Sequence, residues 1–245
     1  MFKWSVSNKL PLNLSKCSVM HMTRSDAPKF CGSYSMGYET LEEVVDFKLL
    51  GVTFSKDLSF DTHINRVTNK ISKLSGFIIR VTKHMSSDAL LNLFKTLVLP
   101  HIVYCICVWA PFQGNHIDRL DRVQRKITRV VFYRQSVDVE CRPSYEERLT
   151  KLGLLKFEDS CKFHRLVFGF KLMNGLLPES FDKMVHLSRI NNSRLLHVTA
   201  RSSSFFNSLF VSLPRLWNGF PHTKDCHDLS IFKSECRSYF LDSYS

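Results

Sequence analysis

Six aliphatic residues, Ile64, Val67, Ile71, Leu74, Ile78 and Val81, recur at steps of three and four. That period puts them on one stripe of an α-helix, because successive strand residues would alternate between two faces. A stripe of this length has to be buried against other elements, so a packed helical body is required from here on. Arg66, Lys70, Lys73 and Arg80 follow a second stripe, roughly 60 to 140° away at about 100° per residue. Ser86 or Ser87 can cap a second helix carrying Leu90, Leu91, Phe94, Leu97 and Val98, until Pro100 kinks or ends it. Residues 102–109 continue the apolar wall. A third helix starts near Ile117, with Leu120, Val123, Ile127 and Val130 inward and Arg119, Arg122, Lys126 and Arg129 outward. These three segments predict a bundle with basic outer faces.

The charge is concentrated in the same place. The chain of 245 residues carries 34 Lys and Arg against 22 Asp and Glu, a net +12. Between residues 62 and 134 there are twelve Lys and Arg but only Asp88, Asp118 and Asp121 opposing them, so +9 of the excess lies in less than a third of the chain. Solvated helix faces ordinarily mix signs for i,i+4 pairing. A one-signed face suits an anionic partner, and phosphate contact by this block is expected. With 44% hydrophobic residues the chain is not disordered as a whole.

On either side the pattern is more mixed. Residues 17–22 read as a short strand after a turn-prone stretch, residues 26–28 as a turn, and residues 44–54 as a hairpin or bulged strand broken at Gly51. These pieces are too few to close a sheet. Ser144-Tyr-Glu-Glu147 has capping-box spacing and opens a helix that Leu152-Gly153 breaks. Residues 157–173 form another helix, ended by Asn174-Gly175, and residues 231–241 a last amphipathic one. Between them, residues 187–210 are expected to be loop with one strand at 205–211, and Trp217 to Pro221 a turn. The fold class expected is mainly α with a small α+β amino-terminal part.

Eight cysteines are spread along the chain without a Cys-x-x-Cys pair, which reads as free thiols in a reducing, cytoplasmic or nuclear compartment. The sequons at Asn13 and Asn191 matter only in a secreted protein. The apolar run 97–112 contains two prolines and falls short of the roughly 20 residues of a membrane helix, so no membrane partner is expected. His222, Cys226, His227 and Cys236 match no standard zinc spacing. Trp109 and Trp217 read as core anchors and not as base-stacking platforms.

Three blocks resemble the carboxy-terminal part of reverse transcriptases of non-LTR retrotransposons, of the jockey or LINE type. The first is Trp4-x3-Asn8-Lys-Leu-Pro-Leu-Asn13-x2-Lys16-Cys17, similar to the family's fourth palm motif. The second is Phe47-Lys-Leu-Leu-Gly51-Val-Thr-Phe followed by Asp57-Leu-Ser-Phe60-Asp-x-His63-Ile64, similar to the primer-grip hairpin and the entry to the thumb. The third runs from Leu99-Pro100-x3-Tyr104-x4-Trp109-x-Pro111 to Leu120-x2-Val123-Gln124-Arg125-x3-Arg129. Leu216-Trp217-Asn218-x2-Pro221 and Phe232-Lys233 also fit.

The resemblance implies a palm-edge remnant with a primer-grip-like hairpin at 1–60, a thumb-like basic bundle at 61–135 and a helical extension at 136–245. It implies RNA-directed DNA polymerase ancestry. Family polymerases hold two Mg²⁺ ions with a Tyr/Phe-x-Asp-Asp motif and an upstream aspartate. This chain has no Asp-Asp dipeptide, and that motif is expected just upstream of its first residue. No cofactor is therefore expected in this segment, nor polymerase activity from it alone. Lys16 matches the family lysine thought to assist the leaving pyrophosphate, a role confined to an intact polymerase; Cys17 stands where the family usually has threonine. Expected partners are RNA or a template–primer duplex, held first by Arg66, Lys70, Lys73 and Arg80 and second by Arg122, Arg125, Lys126 and Arg129. Palm and fingers portions or another protein are further candidate partners. The alternatives are a non-catalytic interaction module and a transposon remnant without function.

Overall fold

A computed structural model describes residues 2–10, 12–23, 32–134, 143–187, 194–221 and 226–244. The turn expected at 26–28, the sequon at Asn191, Cys31, Cys141 and His222 lie outside the described residues. The chain divides into two compact units, Met1–Asn65 and Arg66–Ser245. The architecture is mainly helical with a small strand-bearing amino-terminal part, the fold class expected.

The first unit opens on a short helix, α1 (Phe2–Ser7), which the sequence patterns did not announce. A 3₁₀ turn at Leu14–Lys16 precedes the strands β1 (Ser18–Val19), β2 (Ser35–Met36), β3 (Glu39–Thr40), β4 (Glu42–Glu43), β5 (Asp46–Leu49) and β6 (Val52–Ser55). They form three separate two-stranded ladders: β1 parallel to β4, β2 antiparallel to β3, and β5 antiparallel to β6. The expected strand at 17–22 is thus only two residues long. The β5–β6 hairpin turns at Leu50-Gly51, both with positive φ (45° and 90°), and Gly51 relieves the steric penalty there. β6 is mostly buried, whereas β5 is exposed throughout. The buried His63 ring accepts the Thr53 amide through Nδ1 at 3.2 Å, fastening the hairpin to the helix that follows.

That helix, α2 (Asp61–Val81), carries the periodic stripe. Its fully buried positions are Ile64, Ile71 and Ile78, flanked by buried Thr68, Ser75 and Thr82, while Val81 is exposed. Ser86 caps α3 (Ser87–Leu93), its Oγ accepting the Ala89 amide at 3.2 Å. Pro100 does not end the helical path. The chain widens into a π turn at Phe94–Val98 and continues as α4 (Leu99–Val103), with Pro100 in the first turn of α4. Proline offers no N–H to an i−4 carbonyl, and a π turn accommodates the lost bond without a stop. Cys105, in the left-handed region at φ 52°, then reverses the path into α5 (Ile106–Trp109). It is exposed, unlike the buried residue its apolar run predicts. The Trp109 indole donates to the Tyr104 backbone carbonyl at 2.7 Å across this turn, which gives the tryptophan of Tyr-x4-Trp a role in holding it.

α6 (Gly114–Arg134) starts three residues before the expected position and packs on α3. α7 (Tyr145–Leu152) has the full capping box at Ser144 and Glu147 and stops at Gly153, φ 62°. α8 (Phe157–Met173) ends at Asn174, as its sequence signals indicate. The strand expected at 205–211 is helical instead. Ser202 caps α9 (Ser203–Phe206), and α10 (Leu209–Gly219) runs through Trp217, so the turn falls at Phe220. A short aromatic run does not discriminate helix from strand, and here Val211, Pro214 and Trp217 are buried at steps of three. α11 (Leu229–Asp242) closes the unit, its amino end capped by Asp228.

α8, α10 and α11 share one apolar cluster built on Leu166, Phe170, Leu213, Trp217, Phe232 and Cys236. Phe170 stacks on Phe232 at 4.5 Å between ring centroids. Gly169 permits the close approach of α8 and α10: a Cβ there would lie 2.9 Å from Leu213 Cδ1 and Trp217 Cε3. Trp109 and Trp217 are both buried, as anchors should be. The described cysteines are free thiols. Burial pushes the Cys107 thiol up to about 11 and the Cys161 thiol up to about 12, so neither is a reactive thiolate at neutral pH.

Candidate nucleic-acid interface

The long helices α2 and α6 carry both basic stripes on the side opposite their buried residues. On α2 the exposed residues Arg66, Lys70, Lys73 and Arg80 fall within an arc of about 80°, spread over about 21 Å of helix axis. On α6 the exposed Arg122, Arg125, Lys126 and Arg129 lie within about 100° of arc, across from Leu120, Val123, Ile127 and Val131. Val130, expected inward, is only half-buried, and Val131 takes the buried position.

Pairing separates these cations from the rest. Among the described residues, Arg122, Lys126 and Arg129 have no carboxylate within salt-bridge distance. Arg125 is 4.0 Å from Asp121 and sits over the Tyr145 ring at 4.6 Å. Arg148 of α7 also lies over that ring, at 5.8 Å, and burial followed by repulsion from Arg129 lowers its pKa. Arg148 is a member of the cluster that helix periodicity does not reveal, since α7 reaches α6 only through tertiary packing. Its guanidinium also donates to the Pro143 carbonyl at 2.8 Å, which fixes it beside the basic face.

Other cations of the same sequence block also serve the fold. Arg134 donates to the carbonyls of Thr82 and Ile79 at 2.8 and 3.0 Å, closing the last turn of α2. Lys95 donates to the Leu152 carbonyl at 3.1 Å and serves the end of α7 in the same way. Gln124, between the basic residues of α6, is buried and donates to the Leu155 carbonyl at 2.7 Å. The central glutamine of Val-Gln-Arg therefore ties α6 to the α7–α8 connection. Asp121 has a structural part too: its carboxylate accepts from the Phe157 amide at 3.0 Å and from the Tyr145 hydroxyl at 3.1 Å, securing the start of α8. Burial raises its pKa against the opposing pull of those bonds and of Arg125.

Lys16 is exposed in the 3₁₀ turn before β1, in the first unit. Among the described residues, no three or more His, Cys, Asp or Glu side chains converge to hold a metal ion, so these residues do not fit the two-Mg²⁺ site of an intact polymerase. Within the carboxy-terminal Cys/His group, Cys236 is buried, Cys226 Sγ bonds the Asp228 carbonyl and His227 contacts Asn174 Oδ1. Among the described residues no helix is long and apolar enough to cross a membrane.

Comparison with known proteins bears out the resemblance carried by the sequence blocks. The chain is similar to the RNA-directed DNA polymerase from mobile element jockey of Drosophila funebris, 24% identical over 170 residues, which is 66% of this chain and 18% of that relative. It is likewise similar to the protein of the same description from Drosophila melanogaster, 22% identical over 146 residues, 56% of this chain and 16% of the relative. The matches thus span less than a fifth of these curated relatives. No protein-family model and no solved structure matches the chain.

Proposed function

We propose that this chain, related to jockey-type RNA-directed DNA polymerases, corresponds to the thumb and carboxy-terminal region of such an enzyme. In this reading residues 1–60 are a palm edge with a primer-grip-like hairpin, 61–135 the thumb and 136–245 a helical extension. Its activity is to hold RNA or a template–primer duplex along the faces of α2 and α6. The observation that supports it best is the trio Arg122, Lys126 and Arg129, exposed and without carboxylate partners among the described residues. A surface cation paired with a carboxylate contributes no net charge at a distance; a one-signed face keeps its field for phosphate. Phosphate contact positions a duplex without reading bases, so the preference is for charge and shape and not for sequence. Phosphoryl transfer is not assigned to this chain alone, and Lys16 acts on a leaving group only in an intact polymerase.

The test is a filter-binding titration of RNA and of a primer–template duplex. Binding at about 50 mM salt that falls steeply as salt rises is the expected result, and absence of binding there overturns the reading. A second reading rests on the first unit, where Trp4, Val6, Phe47, Leu49 and Leu50 are exposed apolar side chains. Such a surface suits a protein partner, for which the palm portion of a polymerase is the first candidate. Strictly monomeric behaviour in size-exclusion chromatography, with no capture of a separately expressed palm fragment, would remove this second reading.

A further inference from the structure

The second unit contains a cleft that uses neither basic face. It has a volume of about 270 Å³ and lies where α4, α6, α8 and α11 meet the α7–α8 connection. One wall is apolar, formed by Leu99, Ile102, Val103, Leu154 and Leu155. The polar groups are Lys95, Gln124, Ser160, His164 and Arg237, and no carboxylate lines it among the described residues.

Each polar group has a definite role left over. Lys95 gives one N–H to the Leu152 carbonyl and retains two. Arg237, exposed on α11 and 5.8 Å from the centre of the Phe163 ring, holds its charge at the rim. Gln124 commits its amide nitrogen to Leu155 and leaves its oxygen as an acceptor. His164 Nδ1 lies 2.7 Å from the Ser160 carbonyl, which accepts only, so the proton is on Nδ1 and the neutral ring keeps a lone pair on Nε2. Burial, with Arg237 and Lys233 adding to it, disfavours protonation of this imidazole. The cleft thus combines two cationic donors, two neutral acceptors and an aliphatic wall.

An inorganic anion would use the cations and leave the acceptors and the wall idle. A purely apolar ligand would bury the cations. We propose that the cleft binds a nucleoside monophosphate unit, either a free nucleotide or one residue of a single strand, with Lys95 and Arg237 taking the phosphate. The base lies on Leu99, Ile102 and Leu155, and its amino or the sugar hydroxyl groups donate to His164 Nε2 and Gln124 Oε1. The volume sits just under the range of ordinary small-molecule pockets, about 300 Å³ upward, which suits a ligand the size of one nucleotide.

Ligand-observed saturation-transfer NMR on the full chain, with AMP, adenosine and a short oligoadenylate, tests this. AMP is expected to bind and adenosine to bind about tenfold more weakly, the loss of a charge-assisted contact. Arg237→Ala should weaken AMP by a similar factor of about ten, with Arg237→Lys recovering part of it, while the melting temperature stays unchanged. The triple variant R122E/K126E/R129E should leave AMP binding intact even as duplex binding falls, so the two sites fail separately. Displacement of AMP by the oligoadenylate identifies a strand residue as the ligand; AMP binding without displacement identifies a free nucleotide. No AMP signal up to about 5 mM, equal binding of adenosine, or equal weakening by R237A and the α6 triple variant each overturns the proposal.

Discussion

α6 and α8 are long helices of the same unit with opposite uses of charge. α8 mixes its signs: Lys162 lies 2.9 Å from Glu158 and 3.2 Å from Asp159, and Lys156 just before it pairs with Glu146 at 2.9 Å. Its Asp159 also accepts from the Tyr244 hydroxyl at 2.7 Å, and Arg165 donates to the Asn207 carbonyl. Buried residues surround α8 on several sides, from Phe157 and Cys161 to Phe163 and Phe170. α6 instead buries one side and leaves Arg122, Lys126 and Arg129 with no carboxylate partner among the described residues. Charge count leans one way, with six Lys and Arg against two Asp on α6 and three Lys and Arg against two carboxylates on α8. Pairing sharpens the difference, and it is the ground on which we propose α6 as the surface that faces an anion.

The largest change expected on the α8 side is in stability. Phe170→Ala removes a ring stacked on Phe232 in the centre of the cluster and should cost about 3–5 kcal/mol, read by urea denaturation. Individual α6 substitutions such as Arg122→Ala should stay within about 0.5 kcal/mol of the parent, as exposed sites do. If an α6 change destabilises as much as Phe170→Ala, the division between a structural and a binding helix is wrong.

Next in size is the binding effect. R122E/K126E/R129E should weaken RNA affinity about 100-fold, roughly 2.7 kcal/mol, and flatten the salt dependence by about one phosphate for each residue reversed. Reversal of Lys162, already paired on α8, should change affinity by less than about threefold. Equal losses from the two helices would reduce the interface to net charge.

Asp121 tests the border between the two roles, since it lies on α6 but serves α8. Asp121→Ala leaves the Phe157 amide and Tyr145 hydroxyl without their acceptor and should cost about 2 kcal/mol. RNA affinity should not fall, because the change removes a negative charge beside Arg125.

What the sequence makes legible follows the range of the interactions involved. The capping box at Ser144, the glycine stop at Gly153 and the Asn174 terminus are local chemistry, and the spacing alone locates them. The α2 stripe is equally legible, because helix period and burial coincide at Ile64, Ile71 and Ile78. The basic faces are visible as one-signed stripes. Which cations also serve the fold is not, because Arg134 and Lys95 bond carbonyls 52 and 57 residues away. Gln124 and Asn218 bridge 31 and 23 residues in the same manner, so motif residues of the resemblance acquire a physical reason only in three dimensions. The helices at 203–219 escape a reading by pattern, since a short aromatic run carries no decisive period.

The smallest effect expected is a pH dependence from His164 on α8. Its folded-state pKa is lowered, chiefly by burial, below the ordinary 6.5, whereas the unfolded chain titrates normally. Between the folded and unfolded values the unfolded state binds more protons, so stability falls as pH drops through this window and levels off below the folded pKa. The melting temperature should therefore decline from pH 7 toward pH 5.5, at about constant ionic strength, and His164→Gln should decline less over the same range. Asp121 works in the opposite direction. Its raised pKa favours the protonated native state, and its contribution is lost as pH rises through the folded value. A decline on acidification of equal size in the His164→Gln variant would move the titrating group elsewhere and leave α8 without a half-buried, neutral imidazole.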